Sequence, residues 1–193
     1  MSKVVLDISM SLDGYIRVSN PSPEEPLGKA GERLHEWAFG EDDRNRELLK
    51  GAISGLGASI AGCSTYDDSI KWWGADGPSG PARRPLFVVT HDPPATVPDD
   101  SVYTFVTDGI QSALEQARAA AGDGVTAIMG GADIAQQYLA AGLVDEIAIH
   151  LVPVVFGTGT PLFQHAAQDH VQLEPIHVVD TSTATHLRYR VLR

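Results

Sequence analysis

Apolar positions along this chain follow two rhythms, and the switches between them mark out most of the elements. Alternating or continuous apolar runs of about four to eight residues predict strands at "KVVLDISMS", "GASIAG", "LFVVT", "SVYTFV" and "VTAIM", and a longer one at "VDEIAIHLVPVVF". Recurrence at helical spacing predicts helices at "GERLHEWAF", "DDRNRELLKGAIS", "STYDDSIKWW", "GIQSALEQARAAAG" and "ADIAQQYLAAG". The stretch from Asp13-Gly14 to about residue 30, with Pro21, Pro23 and Pro26, reads as a loop, and so does "GADGPSGPARRP". The tail, "VQLEPIHVVDTSTATHLRYRVLR", alternates as an antiparallel hairpin does. Strands separated by helices run mostly parallel. The pattern therefore predicts one α/β domain over residues 1–193, a mixed twisted sheet with helices on both faces and an antiparallel end.

Composition narrows the setting. The chain has 193 residues, 43% hydrophobic and 20% charged, enough to bury a sizeable core without disulfides or metals. Its net charge of −11 argues against nucleic acid as a partner, because neutralising phosphates takes a basic face. The single cysteine, Cys63, has no partner for an internal disulfide, so a reducing cytoplasm is the expected setting. No apolar run reaches membrane-spanning length, and "MSKVVLDISMSLDGYI" places aspartates where a signal peptide is apolar. A cytoplasmic protein with no membrane partner is expected. An acidic protein that binds an anion must do so at a local focus, through backbone donors and a few placed cations.

Two strand-to-helix junctions are candidates for that focus. In "IMGGADIAQQYL", Gly130 and Gly131 stand where an apolar run ends and a helical pattern starts with Ala132 and Asp133. A helix start offers unpaired N–H groups and a positive dipole end, and a turn without side chains lets a phosphate reach them. The plainer reading is a tight turn. The order G-x-G-x-x-G is missing, so this is not the dinucleotide fingerprint. In "GCSTYDD", Gly62 ends a strand and Cys63, Ser64 and Thr65 open a helix, where the hydroxyls act either as ordinary caps or as phosphate ligands. Two such junctions in one small domain are what a pyrophosphate-bridged dinucleotide needs. Other chemistries fit less well. His165, His170, His177 and His186 show no common metal-ligand spacing, and no metal site is expected. A nucleophilic thiol at Cys63 lacks an identifiable partner, and "GTGTP" lacks the Gly-Lys-Ser/Thr ending of an NTPase loop.

The chain resembles the dihydrofolate reductase-like superfamily, in particular the branch of the C-terminal reductase domain of the bifunctional riboflavin biosynthesis enzyme. The resemblance is carried by "SMSLDGYI", "LHEWAFG", "AGCSTYDD", "PLFVVTHDPP", the final hairpin and the long run "IMGGADIAQQYLAAGLVDEIAIHLVPVVFGTGTPLF", which is the most specific of them. It implies a three-layer fold with a twisted mixed sheet, NADPH as cofactor, and a homodimer. It also implies hydride transfer to a C=N or C=O group of a small heterocyclic substrate, pteridine- or pyrimidine-like. On this resemblance Gly130, Gly131, Ala132 and Asp133 receive the cofactor pyrophosphate, while Gly62, Cys63, Ser64 and Thr65 form the second phosphate-binding helix start. Thr90 and His91 would line the adenosine ribose and its 2′-phosphate. Ser11, Leu12, Asp13 and Gly14 match a mobile first loop beside nicotinamide and substrate, and Pro153, Val154 and Val155 match the long strand passing that pocket.

Two departures from the pattern bear on the chemistry. Where the family often has an arginine gripping the 2′-phosphate, this chain has Cys63, which leaves NADH possible unless Arg83, Arg84 or His91 substitutes. Arg83 and Arg84 also read as a solvated pair. "GERLHEWAF" puts Leu34, Trp37 and Ala38 on one helical face with Glu32 and Glu36 opposite, so no pterin acid is evident and dihydrofolate is not the expected substrate. Asp13 or a water remains as proton source, although Asp13-Gly14 also reads as a plain turn. Trp37 is either a stacking partner for the substrate ring or core, and Trp72, Trp73 and Tyr66 share that ambiguity. Three functions stay open: an NADPH-dependent reductase, a non-catalytic nucleotide- or flavin-binding module of the same fold, and the riboflavin-pathway 5-amino-6-(5-phosphoribosylamino)uracil reductase. The missing zinc signature of an attached deaminase domain counts against the third.

Overall fold

The computed structural model describes residues 2–164 and 170–192. In chain order the first elements are β1 (Val4–Ser11), β2 (Tyr15–Val18), α1 (Glu36–Phe39), α2 (Asp43–Gly55), β3 (Leu56–Gly62), α3 (Cys63–Trp73), β4 (Leu86–Val89) and β5 (Tyr103–Val106). They are followed by α4 (Ile110–Ala121), β6 (Val125–Ile128), α5 (Ala132–Ala140), β7 (Glu146–Val152), β8 (Gly159–Pro161), β9 (Leu173–Asp180) and β10 (Thr185–Val191). Eight strands make one sheet in the order β5-β4-β3-β6-β1-β7-β10-β9, and β2 pairs with β8 in a small sheet of their own. The first six strands of that order run parallel, while β10 is antiparallel to both β7 and β9. Each parallel step needs a crossover, and helices lie in all of them except the loop that joins β4 to β5. The expected mixed sheet with an antiparallel end is the fold.

The two sheet faces follow from the period of two along the strands. Leu6, Ile128 and Ile60 stand in one row across β1, β6 and β3. With Val4, Ile147 and Ile149 they are buried beneath α4 and α5. α4 contributes Ala113, Leu114, Ala117 and Ala121, and α5 contributes Ile134, Ala135, Tyr138 and Leu139, spacings that turn one apolar stripe of each helix onto the sheet. Leu6 is fully buried, so its truncation to alanine costs about 2–5 kcal/mol in lost contacts and cavity. On the opposite face α3 covers β3 and β4, with Tyr66 packed on Ala61, Leu86 and Val88. The same face carries α1 and α2 over β7 and β10, where Leu34 and Trp37 pack on Val152 and Ala184. Between these two helical layers β1 presents Asp7 and Ser9.

Three expectations are corrected. "GERLHEWAF" is not one helix. A 3-10 turn over Gly31–His35 starts from Ala30 in the left-handed region without a capping side chain, and the α-helix proper is the four-residue α1, ended by Gly40. The loop to about residue 30 contains β2, whose pairing with β8 no local pattern signals, because the strands are four and three residues long. The strand through "HLVPVVF" stops at Val152: Pro153 has no N–H for the ladder, and the Val154 N–H turns back to the Val152 carbonyl at 2.8 Å.

Candidate functional site

The C-terminal ends of β1, β3, β4 and β6 meet at one edge of the sheet, as their parallel register requires. α3 starts directly after β3, and α5 four residues after the end of β6, so both N-terminal turns open at this edge. The N-caps are Gly62 and Gly131, and neither helix receives a side-chain cap. Main-chain N–H groups are thereby left available at both starts. The two turns are joined, since the Gly62 N–H donates to the Gly130 carbonyl at 2.9 Å. Gly62 has no room for a side chain, because a Cβ would lie 2.9 Å from Ile134 Cγ1. Gly130 has φ +133°, and a Cβ there would come within 3.2 Å of Thr65 Oγ1. The Gly130–Gly131 peptide is cis. Glycine at these positions lets α3 and α5 begin side by side, which brings two positive dipole ends to one place.

Around that junction Cys63 and Ser64 are exposed, Thr65 is half-buried and Ala132 is buried. Asp133 is exposed, and its carboxylate accepts from Gln137 Nε2 at 2.7 Å along its own helix. A dinucleotide's two phosphates fit this donor set: main-chain amides from both helices, with hydroxyls at Ser64 and Thr65. Thr90 is turned inward. Its hydroxyl donates to the Asp92 carbonyl at 3.0 Å and accepts from the Asp92 N–H at 3.2 Å, so it closes its own loop and leaves His91 exposed at the rim.

The first loop is tied down through Asp13. Its Oδ1 accepts from Ser11 Oγ at 2.7 Å and the Phe156 N–H at 3.1 Å, and its Oδ2 accepts from the Gly157 N–H at 2.7 Å. Desolvation raises its pKa, but these hydrogen bonds from Ser11, Gly157 and Phe156 outweigh it and hold the carboxyl below the usual carboxylate range. That is the state of an acceptor clamping the β1–β2 turn to the segment after β7, not of a proton donor.

Other expected residues fall elsewhere. Ser11 is fully buried, its hydroxyl shared between Asp13 and the Tyr15 N–H, so it supports the turn instead of facing a ligand. Trp37, expected against the substrate ring, is core: it is 6% exposed, and its indole N–H donates to Ser9 Oγ at 2.9 Å. Pro153 and Val155 stand at the surface beyond the end of β7. Arg83 and Arg84 precede β4, whose other end leads into Thr90, so roughly 13 Å of strand at about 3.3 Å per residue separates them from the helix starts. Arg83 is in addition held by Asp76 and Asp100. Neither arginine replaces the one missing at Cys63.

Tyr66 and Trp73 are structural too, whereas Trp72 is not packed in the core. Tyr66 packs edge-on against Tyr103 and Phe105, Trp73 joins that cluster, and Trp72 lies exposed with Lys71 Nζ 4.0 Å from its ring centre. His165 lies outside the described residues. His170 and His177 are exposed and His186 is buried, and no metal-binding group occurs among the described residues.

Sequence reasoning missed a polar chain that runs across the face carrying α1 and α2. His150 Nε2 lies 2.9 Å from Asp7 Oδ1, and His150 Nδ1 lies 2.7 Å from His186 Nδ1. His186 Nε2 lies 2.9 Å from Asn45 Oδ1, and Asn45 Nδ2 donates to Thr183 Oγ1 at 2.9 Å. The Trp37 ring is tilted against His150 and meets His186 edge-on, with centroids 4.1 Å and 4.9 Å away. Burial, with the neighbouring His150 charge, pushes the His186 pKa down to about 4, although Asp42 and Asp7 pull the other way. A signal was available: "LDISMS" puts Asp7, Ser9 and Ser11 on one face of a strand apolar enough to be central.

A parallel-centred α/β sheet with two uncapped helix starts at the carboxyl ends of its strands defines an α/β class of protein whose ligand crevice lies outside those strand ends. Within that class the chain belongs to the RibD C-terminal domain family, whose model matches residues 2–187. It is 28% identical over 167 residues to the uncharacterized protein YwjB of Bacillus subtilis strain 168, covering 86% of each chain. A structure from Shewanella sp. PV-4, of a protein named for riboflavin biosynthesis, aligns with a TM-score of 0.74 at 22% identity over all of both chains. The diaminohydroxyphosphoribosylaminopyrimidine deaminase/5-amino-6-(5-phosphoribosylamino)uracil reductase of Thermotoga maritima aligns with a TM-score of 0.66 at 13% identity, over 99% of this chain and 57% of that one. Among the described residues no helix is long and apolar enough to cross a membrane.

Proposed function

We propose that this protein is a reductase that uses a reduced nicotinamide dinucleotide, NADPH in the first place, to reduce a C=N or C=O group of a small pyrimidine- or pteridine-like heterocycle. The observation that carries this reading is the joined start of α3 and α5. There Gly62–Thr65 and Gly130–Asp133 would hold two linked phosphates through main-chain N–H groups. The bound cofactor supplies a hydride from the C4 position of its nicotinamide. The chain's own share is to orient that ring against the sheet and to exclude water, with the β1–β2 turn clamped beside the strand ends by Asp13. The family, and the reductase named among the similar structures, support reduction over simple nucleotide holding.

Selection for the 2′-phosphate is weak in this reading. Cys63 offers no cation, Arg83 and Arg84 lie beyond the far end of β4, and only His91 remains at the rim. Titration with NADPH and NADH, followed by nicotinamide fluorescence, tests the proposal. Binding of both within about tenfold is expected, and binding of neither sinks it. A second copy of this chain also belongs to the reading. β9 is an edge strand with Leu173, Ile176 and Val178 exposed, a surface suited to pairing. Light scattering that finds only monomers would remove that part.

A further inference from the structure

We propose that Asp7 and His150 form the proton-delivering pair of this enzyme, with Asp7 the catalytic residue facing a substrate groove and His150 the residue that keeps it supplied. This rests on the reductase reading above and adds the group that completes the reduction.

The position of Asp7 is the first argument. β1 lies between β6 and β7 in the middle of the sheet, where side chains are normally covered. Leu6 shares its row with Ile128 and Ile60 and faces α4 and α5, so Asp7 points to the other face. There α3 covers β3 and β4, and α1 with α2 covers β7 and β10, which leaves a strip of sheet over β1 and β6 between them. The Asp7 side chain is 34% exposed, whereas Val5 and Ser9 on the same face are 2% and 6% exposed. Ala127 and Met129, beside it, are also only half-buried. A carboxylate on a central strand is costly, and an opening onto solvent exactly at that residue is what a substrate groove would leave.

Its height along the strand is the second. Leu6 pairs with Ile128, and Ile8 Cδ1 lies 3.9 Å from where a Gly130 Cβ would be. Asp7 is therefore within about two residues, or roughly 7 Å at strand rise, of the glycine turn between β6 and α5. A cofactor anchored by its phosphates at that turn can lay its ring over the same strip.

Proton counting is the third. Asn45 donates to Thr183 through Nδ2, so its Oδ1 accepts and His186 Nε2 carries a hydrogen. Burial keeps His186 neutral near pH 7, so its Nδ1 is a lone pair and His150 Nδ1 must donate to it. A neutral His150 would then turn a second lone pair on the Asp7 carboxylate at 2.9 Å. The contact is a hydrogen bond only if the pair holds one further proton, as imidazolium against carboxylate. The groups facing this pair are His186 from β10, His35 from the 3-10 turn and Asp42 from the start of α2. Farther down the same face Glu146 is satisfied by Lys3 and Arg188, and toward α3 Arg17 is paired with Asp68.

The step balances. Hydride addition to the carbon of a C=N group puts two electrons and one hydrogen on the substrate, breaks its π bond and leaves the nitrogen short of one proton. The pair supplies that proton through the Asp7 carboxyl, ends as neutral His150 beside carboxylate Asp7, and recovers a proton from solvent at the open side of Asp7. Asp13 is not an alternative, because both of its oxygens accept main-chain donors.

The test combines an apoprotein measurement with turnover. Imidazole 15N shifts should show His150 carrying both ring hydrogens in wild type and one in Asp7→Asn. In single-turnover oxidation of bound NADPH with 5-amino-6-(5-phosphoribosylamino)uracil and simple pteridines as probe acceptors, the wild-type rate should fall as pH rises and the pair empties. Asp7→Asn should lose about 100-fold or more and flatten that profile, with NADPH affinity kept within about twofold. His150→Gln should retain the fold and cofactor binding while flattening the profile as well. A neutral His150 in wild type overturns the proposal. So does an Asp7→Asn variant with the wild-type rate and profile, or a wild type that binds NADPH and oxidises it with none of these acceptors. Failure to bind either nicotinamide would instead sink the reductase reading, and the nitrogen shifts would still decide whether the pair holds its proton.

Discussion

Lowering the pH from about 7 to about 5 should cost this protein stability through its buried histidines, and for His186 the structure allows the loss to be estimated. His186 is 6% exposed, and its neutral ring is fixed between Asn45 and His150. Its folded pKa of about 4 lies below the ordinary 6.5, chiefly because burial penalises the charged ring. In this window the unfolded chain binds a proton that the folded chain does not, so stability falls as pH drops from about 6.5 and the loss is complete below about 4. The full displacement corresponds to about 3 kcal/mol at 1.36 kcal/mol per pH unit, and about 2 kcal/mol of it is spent between pH 7 and pH 5. Asp13, Asp42 and Glu146 have depressed pKa values, so their contributions are lost only at lower pH and do not confuse this window. Urea denaturation of wild type and His186→Gln at both pH values is the assay. His35, whose pKa burial and His150 also depress, leaves a residual slope in both proteins. The variant should lose markedly less than wild type. Equal losses would refute the argument that His186 is buried neutral.

Three further outcomes are expected. Gly131→Asp should abolish NADPH binding with the fold intact: a Cβ there meets only Thr65 Oγ1, at 3.5 Å, while the carboxylate would place negative charge at both helix starts; circular dichroism with fluorescence titration checks both halves. Cys63→Arg should favour NADPH over NADH by about tenfold or more through a charge-assisted contact to the 2′-phosphate, read as the ratio of the two Kd values. Glu146→Gln should cost about 2 kcal/mol, because it leaves Lys3 and Arg188 facing a nearly buried neutral amide. Desolvation raises the Glu146 pKa, but Lys3 and Arg188 outweigh it, so this contribution is present above the unfolded value and disappears as pH falls through the lower folded one. Denaturation midpoints at neutral and acid pH would show it.

What the sequence made legible, and what it hid, divides along the range of the interactions involved. Both glycine-led helix starts were readable because everything they need is local, namely a strand end, a glycine and an amphipathic run within about a dozen residues. That Gly62 and Gly130 pack against each other was not readable, since the contact joins turns far apart in sequence and depends on β6 lying beside β3. The same reasoning explains Trp37. Its helical face was correctly apolar, but whether that face meets a ligand or a strand depends on His150 and Ser9, which arrive from β7 and β1. Asp13 was singled out because aspartate before glycine at a strand end is conspicuous, and its carboxylate proves to be consumed by amides from residues 156 and 157. Asp7 was passed over because a polar residue inside an apolar strand looks like noise when strands are read one at a time. Its significance needs two facts that only the assembled sheet supplies: the central place of β1, and the imidazole delivered to it from β7. A charged residue on the strand most completely surrounded by others is thus a better pointer to chemistry than a conspicuous one in a loop, because the fold can satisfy the loop residue with its own backbone, whereas the strand residue has already given its backbone to the ladder and its side chain must find another use.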